Sequence, residues 1–179
     1  MVERNTFRLW TMRATFLMLG LATIFVYLLP LQTGPGRWPT PDILLALCLA
    51  WSLRRPDFAP VISIGLLMLL ADLMFQRPPG LFAAMAVIAS EAMRRRGPGL
   101  RDAGFVTELL TVALSIAVIT IAYRVALTLL VLPRPSLGLS LVQAMLTITA
   151  YPVVVAVSQL VFGVRTQTQA ELASGRGRA

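Results

Sequence analysis

Long apolar stretches alternate along the chain with short polar or Pro/Gly-rich breaks, and six such stretches can be marked: residues 14–31, 41–53, 58–75, 79–93, 105–132 and 137–163. At a helical rise of about 1.5 Å per residue, the first and third each predict a helix of about 27 Å, close to the hydrocarbon thickness of a bilayer. Residues 41–53 reach only about 20 Å, which suits a re-entrant or core helix as well as a crossing. The fourth stretch is also short, and the last two are long.

Charge between the stretches decides the count. If the N-terminus and every second connection share one side, that side carries Arg4, Arg8, Arg13, Arg54, Arg55, Arg94, Arg95, Arg96, Arg101, Arg165, Arg176 and Arg178. The other side carries only Arg37, Arg77 and Arg134, and Arg124 falls inside the fifth stretch. Twelve against three predicts, by the positive-inside rule, six crossings with both termini cytoplasmic. Leaving out residues 41–53 would move Arg54 and Arg55 across the membrane and invert everything after them. The predicted fold is an all-α polytopic membrane bundle of six transmembrane helices over residues 1–165, with 166–179 a polar, disordered cytoplasmic tail.

The breaks on the Arg-poor side, TGPGRWPTP, RPPG and LPRPSLG, are rich in Pro and Gly and predict tight, stiff turns. Trp10, Trp38 and Trp51 fall near predicted boundaries, where indole rings favour the headgroup level. The opening RNTFRLWTMR reads either as a charged anchor for the first span or as an interfacial helix. The first stretch is too long for a signal-peptide core and lacks an Ala-x-Ala pattern, so it is expected to be retained. The two short stretches, second and fourth, do not occupy matching places in a three-plus-three inverted repeat.

Composition agrees with this pattern: 57% of the 179 residues are apolar and 13% charged, with a mean hydropathy of +0.77. Spans consume most of the chain, which leaves no room for a soluble domain. All sixteen basic residues are Arg and the net charge is +8. Their placement beside the apolar stretches reads as topology and anionic-lipid contact, foremost for Arg54, Arg55, Arg94, Arg95 and Arg96, and not as nucleic-acid binding. The single Cys48 lies within an apolar run and is a packing residue, and with no His a Cys/His zinc site is excluded. Without His or Lys the usual general base, the Ser/Lys dyad and Schiff-base chemistry are lost as well, so neither catalysis nor a cofactor is expected.

Four ionisable residues lie in or at the ends of apolar stretches, where each needs a partner or an interface. Glu91 precedes Arg94 and Arg95 by three and four residues, a spacing for helical ion pairs. Glu108 sits near the start of the fifth stretch, where the helix dipole favours an anion. Arg124, about 12 Å from the outer end of its helix, is expected to pair inside the bundle or to snorkel outwards. Asp72 stands three residues before the end of the third stretch, at the helix terminus that disfavours an anion. A tight reversal at Pro78-Pro79-Gly80 would bring the free amides of the next helix back to its carboxylate, and Arg77 lies within reach. That makes Asp72, Arg77, Pro79 and Gly80 a predicted hairpin lock, with partner binding or proton handling as the other roles open to Asp72. Small residues four apart, Ala113/Ala117, Ala122/Ala126 and Gly80/Ala84, mark close helix packing. Pro152 marks a kink, and Gln143 and Gln159 are candidates for interhelical hydrogen bonds.

The run PDILLALCLAWSLRRPDFAP, then GLLMLLADLMFQRPPGLFAAMAVIASE, then RRR, resembles the rod shape-determining membrane proteins of the MreD family in their alphaproteobacterial form, over about residues 8–163. The chain departs from that pattern at Met68, where many members of the family carry Gly. The resemblance implies an inner-membrane, non-enzymatic subunit of the bacterial cell-elongation machinery. Its implied partners are the periplasmic scaffold MreC, the synthase pair RodA and penicillin-binding protein 2, and the filament protein MreB. It also implies a fold similar to the six-helix substrate-binding subunits (S-components) of energy-coupling-factor transporters. A substrate-binding subunit of a vitamin-type transporter is therefore the alternative, although the first stretch lacks the Ala-x-x-x-Ala docking pattern of such subunits.

Overall fold

The computed structural model describes residues 2–29, 39–100, 104–133 and 135–164. Arg37, Trp38, Arg101, Arg134, Arg165, Arg176, Arg178 and the predicted tail 166–179 lie outside the described residues, as does the side chain of Arg4. Among the described residues six helices follow one another: α1 Val2–Leu28, α2 Ile43–Arg54, α3 Val61–Met74, α4 Leu81–Leu100, α5 Gly104–Leu129 and α6 Leu137–Phe162. No strand occurs among the described residues. Among the described residues three helical stretches, Thr6–Leu28, Gly104–Leu129 and Leu137–Phe162, are long and apolar enough to cross a membrane.

Those three are buried over only 17%, 22% and 28% of their most apolar windows, so their outer faces are themselves apolar. Phe25 on α1, Leu114 and Ile121 on α5, and Val153 and Leu160 on α6 all point outwards. A water-soluble protein would not present such continuous faces, whereas hydrocarbon accepts them provided the backbone is hydrogen-bonded internally, as in a helix. The chain is a membrane protein on this ground.

α2 is the centre of the bundle. All its residues from Leu44 to Arg54 are buried, and it packs against α1, α4 and α6. A helix apolar all round needs neighbours on every side. Its 12 residues rise only about 18 Å. Asp42 starts it by accepting from the Leu45 amide at 3.0 Å, which satisfies one of the free N–H groups of the first turn. The Asp42 amide itself donates to Thr147 Oγ1 of α6 at 2.8 Å, and Tyr27 Oη of α1 donates to the Pro41 carbonyl.

Three sequence expectations change. Trp51 is fully buried rather than placed at the headgroup level. Its Nε1 donates to Ser158 Oγ at 3.1 Å, and its ring packs with Phe16, Phe58 and Phe162 at centroid distances of 5.4, 6.4 and 6.2 Å. Being on the central helix, an indole near its end has protein around it in place of headgroups.

The third stretch is helical only over Val61–Met74. Phe58 and Ala59 are buried in the preceding turn, and Pro60 sits at the N-cap with an extended backbone. The fourth helix, conversely, runs seven residues beyond the predicted end at 93, through the three arginines and Pro98 to Leu100. Pro98 removes one intrahelical bond, yet Gly97 beside it fits against the end of α2. A Cβ at Gly97 would stand 3.0 Å from the Leu53 carbonyl oxygen, so a side chain here would press the end of α2 away by a few tenths of an ångström. α1 likewise continues unbroken from its polar start into the span.

Candidate functional site

The α3–α4 hairpin is assembled around Asp72, whose side chain is fully buried. Its Oδ2 accepts from the Gly80 amide at 3.1 Å and from the Ala83 amide at 3.0 Å. These amides belong to the start of α4, so α3 supplies the capping acceptor that the first turn of α4 lacks. The turn between them carries Gly80 at φ +83°, a left-handed conformation that Gly adopts without steric cost. The Arg77 amide closes α3 by donating to the Asp72 carbonyl at 2.9 Å. Pro79 lies exposed in the turn.

The Arg77 side chain packs on the hairpin's Phe75 and Phe82 rings but makes its ion pair with a residue other than Asp72. Its Nη1 stands 3.5 Å from Asp42 Oδ2, and the guanidinium lies 4.7 Å from the Phe82 ring centroid. The ion pair therefore links the α3–α4 turn to the start of α2, a partner 35 residues away that local spacing does not reveal.

Arg54 corrects the expectation of a lipid-facing topology residue. Its side chain is 5% exposed, and Nε pairs with Glu108 Oε1 at 2.8 Å while Nη2 donates to Glu108 Oε2 at 2.8 Å. Tyr151 Oη donates to the same Oε1 at 2.6 Å. Glu108 thus does more than meet a helix dipole: it joins α2, α5 and α6 through a two-pronged charged contact. The available signal was an acid and a base near the same predicted boundary. Each residue has a local explanation of its own, the helix dipole for Glu108 and the positive-inside rule for Arg54, so the sequence does not call for the pair.

At the same end of the bundle, Glu91 meets Arg94 at 3.4 Å and Arg95 at 3.2 Å. Arg94 Nη2 also donates to the Ala59 carbonyl at 2.8 Å, tying α4 to the turn before α3. Arg95 and Arg96 are exposed. Arg55 is half-buried, with its guanidinium 5.6 Å from the Phe58 ring centroid.

Arg124 reaches towards the α5–α6 turn and meets no carboxylate among the described residues. Its Nη1 donates to Ser140 Oγ at 2.7 Å and to the carbonyls of Pro135 and Ser136 at 2.9 and 3.3 Å. Through these contacts it holds the α5–α6 turn, whose carbonyl oxygens lie close to its helix. Ala113, Ala117, Ala122 and Ala126 are half-buried. They flank the inner row of α5, which is formed by Glu108, Val112, Ile116, Ile119 and Leu127.

Between these elements lies a cavity of about 320 Å³. It sits at the end where α2, α4 and α6 begin and α3 and α5 finish, with Asp42, Arg77, Tyr123, Arg124, Gln143 and Thr147 as its main polar wall. Among the described residues no group of three or more acids or Cys is placed to hold a metal ion. No family model, curated protein or solved structure matches the chain.

Proposed function

We propose that the protein is a non-enzymatic integral subunit of the bacterial cell-elongation complex in the inner membrane. In this reading it scaffolds MreC and the RodA/penicillin-binding protein 2 synthase, with MreB as a further partner, through a six-span bundle whose termini are cytoplasmic. One observation carries the reading. The two buried carboxylates, Asp72 through Oδ2 and Glu108 through both oxygens, each tie helices together, and neither lines the cavity. These two carboxylates are thereby committed to rigidity, while α1, α5 and α6 keep broad apolar faces outward. A rigid bundle with such faces suits a membrane protein that binds others along their spans. The resemblance of residues 8–163 to MreD supplies the identity of the complex.

The test is depletion of the protein in its rod-shaped host, with tagged full-length chain used to recover the complex. Rounded cells and loss of MreC from RodA-containing material are expected. Unchanged rod shape together with intact recovery of RodA and MreC would refute the proposal.

A further inference from the structure

The cavity wall carries a charge that no opposite charge among the described residues balances. Asp42 and Arg77 form an ion pair of 3.5 Å on its wall, and the other Asp42 oxygen is occupied by the Leu45 amide. Arg124 has no carboxylate partner among the described residues. It places Nη1 on the α5–α6 turn, and its Nε and Nη2 make no hydrogen bond to a described residue. One acid and two guanidinium groups leave a single positive charge on the cavity wall.

The rest of the wall combines hydroxyl and amide groups of Tyr123, Gln143 and Thr147 with the apolar side chains of Phe82, Ile119 and Leu127. Ligand cavities are lined in this way: mostly apolar, with a few convergent polar groups. A volume of about 320 Å³ lies at the small end of the range for such sites, about 300–1,000 Å³. It suits a headgroup or a compact metabolite. The planar guanidinium fork of Arg124 matches the paired oxygens of a phosphate or carboxylate.

We infer that this cavity binds the monoanionic phosphate or carboxylate group of a small or amphipathic molecule, with Arg124 as its charge partner. The site is independent of the elongation-complex reading, since it rests on the cavity wall alone. The same chemistry is offered by an anionic lipid headgroup and by a free organic phosphate, and the experiment separates them.

The full chain is placed in nanodiscs of phosphatidylcholine doped with phosphatidylglycerol and released for native mass spectrometry. In a second arm, glycerol 1-phosphate is added to the chain in pure phosphatidylcholine nanodiscs and thermal unfolding is followed. Retention of phosphatidylglycerol over phosphatidylcholine identifies the lipid as the source, and a rise in unfolding temperature with glycerol 1-phosphate identifies a free ligand. Either signal is expected to fall by about tenfold in affinity in Arg124→Gln, the loss of one charged contact, and to be largely restored in Arg124→Lys. Because Arg124 also holds a turn, Ala144→Phe provides the second variant: it fills the cavity without touching any charge, and it is expected to abolish the signal as well. No preference for phosphatidylglycerol and no shift with glycerol 1-phosphate would overturn the inference. So would a signal that survives both Arg124→Gln and Ala144→Phe.

Discussion

Replacing Glu108 with Gln tests whether the buried charge cluster holds the bundle together. The substitution preserves shape but removes the charge opposite Arg54, whose side chain is 5% exposed. Two guanidinium contacts of 2.8 Å and one phenol contact of 2.6 Å meet the present carboxylate. Breaking a buried pair from one side leaves an uncompensated charge, at a cost of about 3–5 kcal/mol. Replacing all members by apolar residues of similar size, as Arg54→Met, Glu108→Leu and Tyr151→Phe together, removes every group that needs a partner and is expected to recover most of the loss.

The assay is reversible unfolding of the full chain in detergent micelles titrated with a denaturing detergent. Non-additivity of at least about 1 kcal/mol between the single and combined variants marks direct coupling. If Glu108→Gln stays within about 0.5 kcal/mol of the parent, or the combined variant loses the sum of the single costs, the cluster does not join α2, α5 and α6 as argued.

Other outcomes follow from the same contacts. Asp72→Asn keeps an acceptor for the Gly80 and Ala83 amides but loses the charge that strengthens both bonds, so melting of the purified chain should show a loss of about 1–2 kcal/mol. Asp57→Asn, at an exposed turn position, should stay within about 0.5 kcal/mol, and equal tolerance at both sites would count against the lock. Gly97→Ala pushes a Cβ to 3.0 Å from the Leu53 carbonyl oxygen and should cost about 1–3 kcal/mol by thermal melting. Gly99→Ala meets nothing within 4 Å and should be neutral. Neutralising the exposed Arg95 and Arg96 with Gln should leave melting unchanged but weaken orientation, read by reporter fusions at the C-terminus, and uniform orientation in the double variant would remove their topological role.

Local features were legible in the sequence to the extent that their partners were close along the chain. The Asp72 lock spans 8 and 11 residues, and the helix end, the Pro-Gly turn and the next helix start are all written in ADLMFQRPPGL. The Glu91 pairs with Arg94 and Arg95 are one helical turn apart and equally readable. Arg54–Glu108 spans 54 residues and Trp51–Ser158 spans 107, so neither can be inferred from local spacing. Helix ends at Pro60 and Leu100 were missed because the turn holding Phe58 is as apolar as a span, and because packing of Gly97 on α2 outweighs the stop signal of Gly97-Pro98.

The sequence by itself determined that the chain is helical, where most of the helices break, that it belongs in a membrane, and which residue types are available for chemistry. Only the tertiary structure decided that α2 lies at the centre, that Arg54 is an interior residue, and that Arg77, Arg124 and Asp42 meet around one cavity. The physical reason is that lipid and protein interior are equally apolar. A hydropathy pattern records that a residue leaves water, but not whether a neighbouring helix or a lipid chain receives it.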